Sequence, residues 1–302
     1  MTTLTLFSPS GAVQRRDAVR LAARRLQQRG FQVDVDADAL ARLQRFAGDD
    51  AQRLTALHRV AQAAPSVAMA CRGGYGLSRL LPAIDWTLLA TAVERGTRWV
   101  GFSDFTALQL GLLAHTGAPS WAGPMAVDDF GVADADGGVD DVTADCFVEA
   151  MAGDLEAVGF RTTEGFDGLQ VRGPLWGGNL AMLCSLLGTP EMPSPRRVKG
   201  GVLFVEDVNE HPFRIERRLL QLAHAGVLGS QRAVLLGDFG RVRPTPNDRG
   251  YRLASVVQHL RSQLKVPLIT GLPFGHVATK LSLPVGRRVD LVVQGREVLL
   301  GW

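Results

Sequence analysis

Ser103 follows a short apolar run and precedes a helical pattern, which makes it a candidate nucleophile. The surrounding stretch is WVGFSDFTALQL, residues 99–110. Several hydrolase folds place their nucleophilic serine on such a strand-to-helix turn. The usual motif there is G-x-S-x-G, and Phe105 replaces its second glycine in this chain. The alternative role for Ser103 is a helix N-cap, which the neighbouring Asp104 could supply equally well.

A glycine-rich loop, Arg72-Gly73-Gly74-Tyr75-Gly76, follows another apolar strand pattern. Glycines permit positive φ angles and let backbone N–H groups approach a ligand closely. Such a loop could donate hydrogen bonds to an oxyanion or a phosphate, or it could be only a tight turn. Because it is neither G-x-G-x-x-G nor a P-loop with lysine and hydroxyl, the pattern argues against nucleotide binding.

A carboxylate and a histidine in the second half of the chain could complete a catalytic set. Glu206 follows the buried run VLFV, and His276 follows a rigid Pro-Phe-Gly turn just before a predicted strand. The alternative for a single carboxylate such as Glu206 is a helix-capping or surface role, and the alternative for a loop histidine such as His276 is a solvated side chain. With Ser103 and the backbone N–H of Asp104, these side chains supply the nucleophile, base, orienting carboxylate and oxyanion donor of acyl transfer.

The elements that must position these residues alternate between β-type and helical patterns. This alternation predicts an α/β fold with a largely parallel sheet, whose strand ends face a ligand-binding crevice. The final stretch, 278–302, predicts a β-meander. The segments 4–11 and 67–76 each predict a strand that runs into a turn. Further strands are predicted over 31–35, 98–102, 200–208, 233–237 and 266–270, and helices over 12–29, 103–117 and 212–226.

A change in composition predicts two domains. The stretch VADADGGVDDVTADC is acidic and contains glycines, and the alternation of elements weakens around it. We therefore expect an N-terminal domain over 1–150, a linker over 151–172 and a C-terminal domain over 173–302.

Composition and charge exclude several classes of protein. The 302 residues carry a formal net charge of +3 without the basic cluster expected of a nucleic-acid binder. No apolar run approaches the ~18 residues that span a bilayer, and no secretory signal is visible. The three cysteines lie at no metal-ligand spacing, which is typical of reduced thiols in a cytoplasmic protein.

The chain resembles the LD-carboxypeptidases nearly from end to end, and specifically their cytoplasmic murein tetrapeptide branch. The matching segments are SPSG, RFAGDD, CRGGYGLSRLLPAIDW, GFSDFTALQLGLLAH, GPLWGGNLAML, VEDVNEHPFRIERRLLQL, PTPND and ITGLPFGH. The resemblance implies a flavodoxin-like nucleophile domain joined to a smaller α/β domain, and a homodimer.

The resemblance also implies roles for individual residues, with no metal and no cofactor. Ser103 would be the nucleophile, His276 the general base and acid, and Glu206 the carboxylate that orients the histidine. The oxyanion would be held by the amide of Asp104 and by the glycine loop, either Gly73 or Gly74.

The implied substrate is a murein tetrapeptide, and the implied reaction releases its terminal D-alanine from L-diaminopimelate during peptidoglycan recycling. The free carboxylate needs a cationic partner, for which Arg72 is a candidate. The alternative is that Arg72 faces solvent or a neighbouring carboxylate. Two other functions remain open for this fold. One is a microcin-immunity-type peptidase that cleaves an aminoacyl-nucleotide toxin, and the other is a non-catalytic muropeptide-binding module.

Overall fold

The computed structural model describes residues 2–240 and 243–302, which fall into two compact units. The first unit runs to Leu155 and also takes in Thr189–Pro193 and Ala278–Gly286. The second unit comprises Glu156–Gly188, Ser194–Val277 and Arg287–Trp302. Both units are built from strands and helices numbered here in chain order.

The strands are β1 (Thr2–Phe7), β2 (Phe31–Val35), β3 (Val67–Ala70), β4 (Arg98–Gly101), β5 (Ser120–Ala122), β6 (Ala157–Arg161), β7 (Gln170–Asn179), β8 (Val202–Glu206), β9 (Ala233–Leu236), β10 (Leu268–Thr270), β11 (Leu283–Val285), β12 (Arg288–Gln294) and β13 (Glu297–Gly301). The α-helices are α1 (Arg16–Gln28), α2 (Asp50–Ala63), α3 (Trp86–Glu94), α4 (Thr106–His115), α5 (Asp141–Ala152), α6 (Leu180–Ser185), α7 (Pro195–Val198), α8 (Pro212–His224) and α9 (Leu253–Gln263).

The first unit contains a sheet in the order β2-β1-β3-β4-β5-β11. Its first five strands are parallel and follow the 2-1-3-4-5 order of flavodoxin-like folds, which confirms the predicted fold class. Since β3 and β4 are parallel neighbours, the loops that follow them meet at one edge of the sheet. Those loops contain the glycine-rich segment and Ser103.

The strand β11 pairs antiparallel with β5 in the first unit. The prediction of a continuous meander over 278–302 is therefore wrong, and only β12 and β13 pair as a hairpin. All three residues of β11 are buried. An apolar triplet of this kind fits any sheet edge equally well, so the local pattern does not reveal its partner strand.

The second unit contains a sheet in the order β10-β9-β8-β7-β12-β13-β6. The strands from β10 to β7 are parallel, and those from β7 to β6 are antiparallel. The segment 151–172, expected to be a linker, contains β6 and the beginning of β7. Glu206 ends β8, and the loop after β10 carries His276.

Each unit contains an amphipathic helix, α1 in the first and α8 in the second, as the sequence periodicity indicates. In α8, the buried residues Ile215, Leu219 and Leu222 recur at intervals of four and three. The strands β3 and β8 are buried along their whole length, as expected for parallel strands covered on both faces. Within residues 2–240 and 243–302, no helix combines the length and apolar character that crossing a membrane requires.

Candidate active site

Ser103 lies in a strained turn between β4 and α4. Its φ of 61° is in the left-handed region, which non-glycine residues seldom occupy and which often marks functional sites. It opens a 3-10 turn, Ser103–Phe105, that leads directly into α4. Phe102 and Phe105 occupy the N-cap positions of the turn and of α4. The structure therefore gives Ser103 a position different from that of a helix cap.

The glycine loop packs directly against this serine. A Cβ atom placed on Gly73 would lie 2.9 Å from Cβ of Ser103, 3.0 Å from its Oγ and 3.3 Å from the backbone N of Asp104. Only glycine allows so close an approach. The Gly73 carbonyl accepts a hydrogen bond of 3.1 Å from the Gly11 N–H. Because the peptide is trans, the Gly74 N–H points to the opposite side, away from Gly11.

Asp104 connects the serine turn to the far end of the glycine loop. Its side chain is buried, and its Oδ2 accepts a hydrogen bond of 3.0 Å from the Leu77 N–H. Burial raises the pKa of this carboxyl, and the bond from Leu77 opposes the rise. The backbone N–H of Asp104 lies beside Gly73, so the residues predicted to surround an oxyanion are neighbours within the first unit.

Arg72 is the first residue of the same loop. Its Nη1 donates a hydrogen bond of 3.1 Å to the carbonyl of Ala12, and its guanidinium packs against Gly74. The side chain also lines an open depression in the first unit, beside Arg15 and Asp128. A guanidinium held in this way presents a fixed positive charge next to the glycine loop.

Glu206 and His276 are in contact within the second unit. The carboxylate has no exposed surface, and its Oε2 lies 2.8 Å from Nδ1 of His276. The second oxygen, Oε1, accepts a bond of 3.0 Å from Nδ2 of Asn179. Asn179 is the register partner of Glu206 across β7 and β8. A buried carboxylate at this distance fixes both the orientation of the imidazole and its Nδ1–H tautomer.

The loop that carries His276 can approach Glu206 closely because it contains Gly275, which has no side chain. Gly275 has a φ of 136°, and a Cβ there would lie 3.0 Å from the carbonyl of Asp238 and 3.3 Å from Cβ of Glu206. The Asp238 N–H donates to the carbonyl of Phe274, which joins this loop to the end of β9. The Pro-Phe-Gly turn thus brings His276 to Glu206, and the next strand begins only at Leu283.

A second buried carboxylate supports the pair. Asp207 accepts hydrogen bonds from Nδ2 of Asn179 at 3.2 Å, from the Ala181 N–H at 3.1 Å and from Arg218 at 3.1 Å. Burial raises its pKa, and the bond from the Val208 N–H and the charge of Arg218 oppose the rise. Sequence reasoning missed Asn179, although it stands at the end of the WGGN run and also caps α6.

The predicted site residues therefore form two groups. The first unit brings Arg72, Gly73, Gly74, Ser103 and Asp104 together, and the second unit joins Glu206 with His276. Among the described residues, no group of three or more histidine, cysteine, aspartate or glutamate side chains could hold a metal ion. The first group has the residue types expected of a nucleophile with backbone donors, and the second has those expected of a base with its orienting carboxylate.

Comparison with known proteins gives a consistent result. A family model for the LD-carboxypeptidase N-terminal domain matches residues 4–123, and one for the C-terminal domain matches residues 172–291. The chain is 30% identical over 273 residues to the probable murein peptide carboxypeptidase of Bacillus subtilis (strain 168), covering 88% of this chain and 81% of that protein.

Two solved structures are also similar. The crystal structure of muramoyltetrapeptide carboxypeptidase from Oxalobacter formigenes superposes with a TM-score of 0.89 at 37% identity, covering 99% of this chain and 98% of that one. The microcin C7 self-immunity protein MccF, in complex with aspartyl sulfamoyl adenosine, has a TM-score of 0.85 at 21% identity, with 100% and 96% coverage. The second likeness is one of fold alone. On the family models and on these identities, this chain belongs to the LD-carboxypeptidase family.

Proposed function

We propose that this chain is a serine-type LD-carboxypeptidase that releases the terminal D-alanine of murein tetrapeptides in peptidoglycan recycling. The scissile bond joins the L-centre of diaminopimelate to D-alanine. The observation that carries the proposal is the 2.8 Å contact between Nδ1 of His276 and the buried carboxylate of Glu206. A histidine held in this tautomer leaves Nε2 unprotonated, as a general base requires.

Acylation begins when Nε2 of His276 takes the proton of Ser103 and Oγ attacks the scissile carbonyl. Glu206 stabilises the imidazolium that forms. The N–H of Asp104, together with that of Gly73 or Gly74, holds the oxyanion; one such donor is worth about 3–4 kcal/mol in other enzymes. The imidazolium then protonates the leaving amine, and D-alanine departs from an acyl-enzyme on Ser103.

Deacylation repeats the same steps with water as the nucleophile. His276 removes a proton from the water, the hydroxide attacks the acyl carbonyl, and the same backbone donors hold the second oxyanion. Collapse of this intermediate returns the proton to Oγ of Ser103 and releases the tripeptide. The net reaction consumes one water and yields tripeptide and D-alanine, without a metal or cofactor in any step.

Recognition of a C-terminal residue requires a partner for its free carboxylate. We assign this role to Arg72, whose guanidinium is held beside Gly74 by the Ala12 carbonyl. A muropeptide substrate that is recycled inside the cell fits a cytoplasmic enzyme. The homodimer is likewise part of the proposal, and sedimentation of the purified chain tests it.

The proposal is tested with the tetrapeptide L-Ala-γ-D-Glu-meso-diaminopimelate-D-Ala and an aminoacyl sulfamoyl adenosine in parallel. The expected result is release of D-alanine from the tetrapeptide, unchanged by a chelator, with much slower cleavage of the nucleotide conjugate. Preferred cleavage of the conjugate would favour a microcin-immunity-type peptidase. Tetrapeptide binding without turnover would favour a binding module.

A further inference from the structure

A lysine and an aspartate outside the proposed catalytic set form a buried ion pair in the first unit. Nζ of Lys280 contacts Oδ1 of Asp129, and the two side chains are 2% and 3% exposed. Burying two charges is costly, and such pairs often stabilise a fold no better than apolar residues of the same volume. We therefore asked which parts of the first unit the Lys280–Asp129 pair holds in place.

The segment that carries Lys280 is attached to the first unit through several hydrogen bonds. Oγ1 of Thr143 donates to the carbonyl of Ala278 and accepts from the Lys280 N–H, both at 2.8 Å. Oγ1 of Thr279 donates to Asp140 at 2.8 Å. We call residues 278–280 the tether. Its three residues are all bonded to the beginning of α5.

The tether lies close in the chain to the proposed base. The chain leaves the second unit after Val277 and enters the first at Ala278, only two residues beyond His276. Lys280 is the fourth residue after His276, and four extended residues span at most about 14 Å. Whatever fixes Lys280 in the first unit therefore fixes the chain at a point four residues after His276.

The same lysine also contacts the side chain of the residue that precedes the proposed nucleophile. Its Nζ lies 5.2 Å from the ring centroid of Phe102, within the range of a cation–π interaction. Phe102 is 2% exposed and immediately precedes the strained Ser103. On the other side, Oδ2 of Asp129 accepts a bond of 2.7 Å from the Met125 N–H, which fixes the carboxylate.

We propose that Lys280 and Asp129 are a positioning pair for the hydrolysis, joining the residue before Ser103 to the tether that follows His276. This inference rests on the proposed function, because it assigns the pair to the same reaction. The pair acts through geometry and exchanges no proton with the substrate. A displacement of about 1 Å between reacting groups can lower a rate by about 100-fold, so loss of the pair is expected to reduce kcat.

The double variant D129N/K280M distinguishes an effect of the pair on the rate of hydrolysis from an effect on the stability of the fold. The asparagine introduced at position 129 would keep an oxygen for the Met125 N–H, and the double variant removes both charges of the pair together. We therefore expect a Tm near that of the wild type, whereas K280M alone should melt earlier. In the double variant we expect kcat to fall about 10- to 100-fold, with KM changed less than about threefold.

A second readout does not depend on the substrate. The rate at which a fluorophosphonate labels Ser103 reports the reactivity of the serine, with S103A as the unlabelled control. We expect the double variant to be labelled about 10-fold or more slowly, while K265M, at an exposed lysine, is labelled like the wild type. T143V, which removes two tether bonds and keeps the ion pair, should slow labelling as well and provides a test if the double variant does not fold.

The outcomes are distinguishable. A folded double variant with wild-type kcat and labelling rate would overturn the positioning role and leave the proposed function intact. Labelling of wild-type Ser103 without D-alanine release would overturn the proposed substrate, and the labelling rates would still decide the role of the pair. A wild-type chain that neither releases D-alanine nor is labelled would overturn both.

Discussion

The contact between Glu206 and His276 is the most constrained feature at the scale of single residues. Glu206 accepts a hydrogen bond from Asn179 through one oxygen and contacts Nδ1 of His276 through the other. Because Asn179 can only donate with its amide nitrogen, the oxygen facing it must remain an acceptor. The carboxylate is therefore the one group that satisfies both neighbours while His276 carries its proton on Nδ1.

We predict that E206Q lowers kcat by about 1,000-fold with little change in stability. The oxygen of the new glutamine would face Asn179, and its NH2 group would face Nδ1 of His276, which favours the wrong imidazole tautomer; a similar change in a serine protease costs about 10,000-fold. Steady-state kinetics and thermal melting measure both effects. D207N, at the adjacent buried carboxylate, should lose much less activity. An unfolded E206Q protein would indicate a structural role instead.

We predict that G73A inactivates the enzyme while its fold persists. The new Cβ would lie 3.0 Å from Oγ of Ser103 and 3.3 Å from the Asp104 N, so it would displace the serine or a proposed oxyanion donor. Loss of one such donor costs about 100- to 1,000-fold in kcat. G229A is the matched control, because a Cβ there has no atom within 4 Å. Equal activity of the two variants would contradict this arrangement.

Asp104 gives a prediction about pH and stability. Burial raises its folded-state pKa above the ordinary value of 3.8. The protonated form therefore favours folding, and this contribution is complete below the unfolded pKa and is lost as pH rises through the folded pKa. Asparagine can accept the Leu77 bond and does not ionise. Urea unfolding should show D104N gaining stability relative to the wild type as pH rises from about 4 to 7; an unchanged difference would contradict this.

Among the secondary-structure elements, α5 is bonded to the tether through Asp140 at its N-terminus. Asp140 is the N-cap and accepts a bond of 2.9 Å from the Thr143 N–H and one of 2.8 Å from Thr279. Burial alone would raise its pKa, but the bonds from Thr143 and Thr279 outweigh burial and lower it. One carboxylate thus satisfies both the helix and the returning segment.

We predict that D140A costs about 1–2 kcal/mol of unfolding free energy at neutral pH, from the lost cap. Because the folded-state pKa of Asp140 is lowered, its contribution is present above the unfolded pKa and disappears as pH falls through the folded value. Chemical denaturation at about pH 7 and pH 3 measures the difference between wild type and D140A. A difference that grows toward low pH would contradict the cap.

Most elements that carry the site were predictable from sequence. The runs before Gly73, Ser103 and Glu206 are short and apolar, and each is the buried parallel strand expected. The sequence did not show which side chains would contact each other from distant parts of the chain. Asn179 contacts Glu206 only because β7 and β8 are in register, and Lys280 meets Asp129 across 151 positions of the chain. Local patterns of apolar and turn residues do not predict contacts between residues so far apart in the chain.

At the scale of the whole molecule, the chain passes between its two units several times. The family resemblance implied a flavodoxin-like first domain, whereas nothing in the sequence predicted the return of Ala278–Gly286 to that unit. The reason is physical: β11 satisfies the edge of the first sheet, and its apolar residues would suit a meander equally well. The acidic change in composition likewise did not reveal that β6 joins the second sheet.

The three cysteines allow the serine mechanism to be separated from a thiol mechanism. Cys71 and Cys146 are buried and Cys184 is partly buried, and burial raises the pKa of Cys71 to about 12 and that of Cys184 to about 11. We predict that iodoacetamide at about pH 8 leaves the activity of the native enzyme intact, since thiolates are scarce there. Urea-unfolded protein is the control and should react at all three thiols. Inactivation prevented by substrate would contradict the prediction.

In the proposed mechanism, Ser103 attacks the carbonyl carbon that precedes the terminal D-alanine, and His276 is its base. The most direct test is the rate of D-alanine release from the murein tetrapeptide by the wild type, S103A, H276A and the double variant. We predict that each single variant loses at least about 1,000-fold in kcat and that the double variant loses no more, because the two side chains act as a unit. Substantial D-alanine release by folded S103A would show that Ser103 is not the nucleophile.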